Sequence, residues 1–157
     1  MRNDSRIAND SSVAAEEVVA RGLKWVEKLG LAIEAKDVEA GLDCFSDDAV
    51  LQFCHLPPTL PTRESRRAYL TWAYSMCPKV EVHVKNISVT PEQITCDFVE
   101  TYHFTDGSSH PVDITAVLQE DLASGKLSQF KATGEIAHVV PKFVSHAGPI
   151  PDENSSW

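Results

Sequence analysis

The stretch "KVEVHVKNISVTPEQITCDFVETYHFTDG", residues 79–107, holds two alternating runs on either side of a proline turn. In the first, Val80, Val82 and Val84 alternate with Glu81, His83 and Lys85. In the second, Ile94, Cys96, Phe98, Glu100, Tyr102 and Phe104 share one parity against Thr95, Asp97, Val99, Thr101 and His103. Successive side chains of a strand point to opposite faces, so a period of two predicts two half-buried strands joined by "VTPEQ". One residue is out of keeping: Glu100 sits in the middle of the apolar parity.

Downstream, "TDGSSH" is a turn and "PVDITAVLQED" sets Val112, Ile114, Ala116 and Leu118 against Asp113, Thr115, Val117 and Gln119. "LASG" then turns the chain into "KLSQFKATGEIAHV". Upstream the spacing is helical. Val18, Gly22, Trp25, Leu29 and Ile33 step by four and three, with Ser12 placed to cap the helix and Glu16 and Glu17 in its first turn. Asp37 can cap a second, shorter helix carrying Val38, Gly41, Leu42 and Phe45, and "AVLQFCH", residues 49–55, reads as a short strand. After the stiff "LPPTLP", Thr62 can cap a third helix whose apolar side is Ala68, Tyr69, Trp72, Ala73 and Met76, ended by Pro78. Helices followed by four strands on short turns predict an α+β domain, its curved antiparallel sheet wrapped around the N-terminal helices.

The chain of 157 residues, 43% apolar, suits one domain with its own core. We place that domain at residues 13–143, between flexible tails at 1–12 and 144–157. A net charge of -9 with no basic cluster longer than "SRR" argues against nucleic acid or a membrane surface as partner. No run approaches the roughly 18 apolar residues of a spanning helix, and "MRNDSRIANDSS" lacks the apolar centre of a signal peptide, so a cytoplasmic protein is expected. Cysteines 44, 54, 77 and 96 form no close pair, and the six histidines show no two-ligand helical spacing. Reduced thiols and no metal are expected.

Three segments, in order, resemble the nuclear transport factor 2-like superfamily, in its SnoaL-like and ketosteroid-isomerase-like branches. They are "AKDVEAGLDCFSDDAV", "TRESRRAYL" and "GKLSQF", and the likeness covers roughly residues 15–140. It implies a cone-shaped fold with an apolar pocket between the concave sheet face and the first helix, homodimeric through the convex face. It also implies cofactor-independent isomerases, cyclases, epoxide hydrolases and dehydratases. Their catalytic sets do not carry over. The isomerase tyrosine, base and oxyanion acid fall on Leu29, on Phe53 or Cys54, and on Ala116, while the epoxide hydrolase's arginine and two aspartates fall on Glu100, Tyr102 and Ala132.

The same registration turns Phe98, Glu100, Tyr102 and Phe104 toward the pocket, beside Ile114, Ala116, Leu118 and Phe130. Trp25, Leu29, Phe53 and Trp72 complete the candidate substrate-binding set. In an apolar cup Glu100 would titrate higher than usual and could both take and give a proton near neutrality. Tyr102 could meet a substrate oxygen, and His55 could supply a second proton carrier. The structural alternative pairs Glu100 with Lys131 across the sheet. The expected activity is acid/base isomerisation or cyclisation of a hydrophobic, oxygenated polyketide or terpenoid-type metabolite, with epoxide opening as the enzymatic alternative and a non-catalytic binding or dimerisation module as the other.

Overall fold

The computed structural model describes residues 10–151. Its elements follow the order α1 (Asp10–Ala35), α2 (Val38–Asp43), β1 (Phe45–Phe53), α3 (Arg63–Tyr74), β2 (Lys79–Val89), β3 (Ile94–His103), β4 (Ser109–Asp121), β5 (Lys126–Gly134) and α4 (Val140–Ala147). Two of the sequence-predicted caps form. Asp37 accepts a hydrogen bond from the Ala40 amide at 3.0 Å and Thr62 one from the Ser65 amide at 3.2 Å, satisfying donors that the first helical turn leaves free. Ser12 does not start its helix, because α1 already includes Asp10.

The strands form one sheet in the order β1-β5-β4-β3-β2. Neighbours β2 to β5 pair antiparallel, as short turns require, and Glu100 lies opposite Val82 on one side and Val112 on the other. β1 joins β5 in parallel, with Leu51 opposite Phe130 and Phe53 opposite Ala132, so the sheet is mixed rather than wholly antiparallel. A ladder between segments nearly eighty residues apart leaves no local pattern to read. β1 also begins at Phe45, four residues before the sequence reading, because a bulge between Phe45 and Val50 breaks its alternation.

The inner face of the sheet is the core. Along β3 Ile94, Cys96, Phe98, Glu100 and Tyr102 are buried, and the residues between them are only half-buried. α1 packs on β2 and α3 on β1, closing the inner face from outside. α3 is tied to its strand by Arg66, which is fully buried and donates from Nη1 to the Ala49 carbonyl at 2.9 Å. The "LPPTLP" segment returns to β1 through Thr59, whose hydroxyl accepts from the Leu51 amide and whose amide donates to the Leu51 carbonyl. α4 continues past residue 143, where the sequence reading ended the domain. Pro141 stands in its first turn, Phe143 is fully buried, and Trp72 Nε1 donates to the Gly148 carbonyl at 2.9 Å just beyond it. Residues 1–9 and 152–157, most of both predicted tails, lie outside the described residues.

Candidate active site

Between the inner face of the sheet and helices α1 and α3 lies a cavity of about 840 Å³, its open mouth included. Its wall is overwhelmingly apolar because β3, β4 and β5 each turn one parity inward. From the sequence-predicted set, Leu29, Phe53, Phe98, Ala116, Leu118 and Phe130 line it together with Glu100. Glu100 is the only acidic or basic side chain among the described lining residues.

Glu100 is 4% exposed. Loss of water disfavours its charged form and pushes its pKa up to about 7, while a hydrogen bond donated by the Tyr102 hydroxyl to Oε1 pulls in the other direction. The alternative pairing with Lys131 does not form, since Lys131 is exposed on the opposite parity of β5 from Phe130 and Ala132. Two acidic residues of that outer parity have partners there: Asp97 accepts from Thr115 Oγ1 at 2.7 Å and Asp113 pairs with Lys85 at 3.1 Å.

Several sequence-predicted positions fall outside the cavity wall. Tyr102 is fully buried behind Glu100, its ring edge-on to Phe143 of α4 at 4.8 Å between centroids, and its hydroxyl donates to the Glu100 carboxylate. His55 is exposed and is not among the residues that line this cavity. It follows Cys54, which takes a left-handed conformation (φ 56°), bonds the Ala132 carbonyl through its amide at 2.9 Å and turns the chain out of β1. The structure does not bring His55 to the cavity that holds Glu100. Phe104 packs on Phe143 and His110 below the β3–β4 turn. Ile114 is core, opposite Phe98 and Gly134. Trp25 lies under Lys28 and Trp72 against Phe143, both buried but away from the wall.

Two α3 tyrosines take the place of the tryptophans, and only Tyr69 of the two stood on the apolar side read from helical spacing. Tyr69 and Tyr74 line the cavity, and neither hydroxyl has a hydrogen-bond partner among the described residues. Burial, with the nearby Glu100 carboxylate adding to it, raises both phenols above their ordinary range, so both remain donors at neutral pH. Five residues apart, they do not share one helical stripe, and only the helix's placement over the cone separates ligand wall from core.

The comparisons with known proteins agree on the architecture. No protein-family model and no curated protein matches the sequence. Among solved structures, a candidate SnoaL-like polyketide cyclase from Jannaschia sp. CCS1 superposes with a TM-score of 0.65 at 13% identity, covering 84% of this chain and 94% of that one. SalBIII, an epoxide hydrolase/cyclase-like enzyme in pyran ring formation of the polyether salinomycin, gives 0.64 at 11% identity over 74% of this chain and 92% of that one. A protein of ketosteroid isomerase-like fold from Catenulispora acidiphila DSM 44928, in complex with trimethylamine, gives 0.63 at 13% identity over 84% and 97%. The fold is the cone-shaped α+β architecture of these SnoaL-like and ketosteroid isomerase-like structures. At these identities the likeness is one of fold, and chemistry has to be argued from the cavity.

Proposed function

We propose that the protein is a cofactor-independent isomerase or cyclase that moves a proton within a hydrophobic, oxygenated metabolite of polyketide or terpenoid type. One observation carries this reading: a single carboxyl group, raised to about 7, faces an otherwise apolar cavity. A group titrating there is present in both forms at neutral pH, which suits a base that must return the proton it removes. Glu100 would take a proton from the carbon next to a carbonyl, leaving a dienolate, and deliver it to the γ carbon. Composition is unchanged and the double bond has moved. The Tyr69 hydroxyl, unpartnered and near Glu100, would donate to the oxygen that gains charge. Tyr102 acts through Glu100 as a positioning residue.

The protonated form of Glu100, which burial favours, also supports a second reading, epoxide opening. The acid would protonate the epoxide oxygen as its C–O bond breaks, a hydroxyl of the same substrate would attack the carbon, and the carboxylate would collect the proton released. The apolar wall supports a substrate that brings its own nucleophile over one that needs bound water. We further expect a homodimer joined through the outer sheet face and a cytoplasmic location. The four buried, unpaired cysteines fit the latter, and no described helix is long and apolar enough to cross a membrane.

The test is turnover of two small panels, β,γ-unsaturated cyclic ketones and hydroxy-epoxides, followed by mass spectrometry in D₂O. Wild type is expected to convert members of one panel, and Glu100→Gln to do so about 10²-fold more slowly or worse with its fold unchanged. Full activity in that variant overturns the site. A protein that binds panel members with equal affinity in both forms and converts none is the non-catalytic binding module instead.

A further inference from the structure

Three described glycines lie within helices, and two of them have a steric reason to be there. A Cβ on Gly22 would stand 2.5 Å from Val89 Cγ2, and one on Gly41 would stand 2.5 Å from the Tyr74 hydroxyl. Gly30, in the interior of α1, has none: a Cβ there would meet nothing within 4 Å, and its φ is not in the left-handed range. Glycine inside a helix is less favourable than alanine at the same place. What Gly30 borders is the cavity.

The mouth of the cavity is at the same place. Apart from Phe130, every lining residue that is not buried belongs to α1 or β2: Val26, Leu29, Gly30 and Ile33 on the helix, Val82 and Val84 on the strand. α1 is fixed to this edge strand at two points. Gly22 lies on Val89, and Glu34 accepts a hydrogen bond from the Val82 amide at 3.0 Å. The helix therefore runs antiparallel to β2. Gly30 is eight residues beyond Gly22 and four before Glu34, which sets it opposite Val84 and Lys85, where the strand bulges away from its β3 register. Helix and strand are pinned on both sides of this point, and between the pins a Cβ on Gly30 would meet nothing within 4 Å.

We propose that Gly30 is the specificity-determining position of the cavity, the gap through which the aliphatic end of a long ligand passes out between α1 and β2. The ligand is then asymmetric. Its oxygen function lies at Glu100, opposite Val82 in the ladder, and its far end is hydrocarbon, since Val26, Ile33, Val82 and Val84 offer that end no polar partner. This rests on the cavity being the ligand site, as in the function proposed above, but not on Glu100 performing chemistry.

The test uses N-phenyl-1-naphthylamine, an uncharged apolar fluorophore, and thermal unfolding of three variants. Gly30→Phe fills the gap and is expected to weaken probe binding about tenfold or more, with an unfolding midpoint no lower than that of wild type. Gly30→Ala, which narrows the gap by one methyl group, is expected to weaken probe binding by a smaller factor, about two- to threefold, and to raise the midpoint by about 2 °C or more. Undiminished binding in Gly30→Phe, or a lowered midpoint in Gly30→Ala, overturns the proposal. Glu100→Gln keeps the two readings apart, because it is expected to bind the probe at least as well as wild type while losing turnover.

Discussion

Tyr102 donates its hydroxyl hydrogen to the Glu100 carboxylate from the same inward face of β3, two residues away. Glu100 looks into the cavity, whereas Tyr102 is sealed beneath it by Phe143. The pair thus has a cavity side and a sealed side. Burial raises the pKa of Glu100 and the tyrosine restrains the rise.

Stability should depend on pH through Glu100 in a sense opposite to that of a salt-bridged carboxylate. Its folded-state pKa, about 7, lies above its ordinary value of 4.5, so between these two pH values the folded protein binds the proton and the unfolded chain does not. The contribution is complete below pH 4.5 and is lost as pH rises through 7, about 3 kcal/mol in all. Urea unfolding at a series of pH values should show wild type losing about that much stability relative to Glu100→Gln from pH 4.5 to 8. Parallel curves for the two proteins would mean that Glu100 is ionised in the fold at pH 4.5.

Tyr102→Phe removes the hydrogen bond that favours the charged carboxylate and leaves the apolar surroundings in place. The rising limb of the pH–rate profile on a converted ketone, where Glu100 acts as base, should move to higher pH. A tyrosine that contacted substrate would lower the rate without displacing that limb.

Phe143→Ala should destabilise the fold by about 3–5 kcal/mol, the range for truncating a fully buried phenylalanine. Its ring meets Trp72, Tyr102 and Phe104. Denaturant titration reads the loss. A cost below about 1 kcal/mol would mean that α4 is not docked on the base of the cone.

The cysteines should be inert in the native state. All four are buried, and loss of hydration raises Cys54 to about 12 and Cys77 and Cys96 to about 11. At pH 8 a thiol reagent such as Ellman's should show no fast phase with the folded protein and should titrate all four cysteines in urea. A fast native thiol would place one of them at an open cavity wall, and Cys96, which lines the cavity, is the one such a result would identify.

The sequence made the strands legible because β3 alternates without interruption, and the parity of Phe98, Glu100 and Tyr102 holds from Ile94 to His103. The caps at Asp37 and Thr62 were equally readable, since capping is local. The parallel β1–β5 ladder was not, because it joins distant segments and a bulge disturbs its first half. α4 was missed because its one fully buried residue, Phe143, sits among prolines and polar residues. Within the site, parity fixed which way Glu100 and Tyr102 point but not their depth. Curvature and α4 leave the first open to the cavity and bury the second, and the tilt of α3 presents Tyr69 and Tyr74 where Trp72 was expected.

The account depends most on the state of one carboxyl group. Carbon-13 NMR of glutamate-labelled protein, with the Glu100 signal assigned by its loss in Glu100→Gln, measures that state without any substrate. A titration midpoint near 7 is expected. A midpoint at the ordinary 4.5 would make Glu100 a permanently charged wall residue and would contradict the proposed proton transfer.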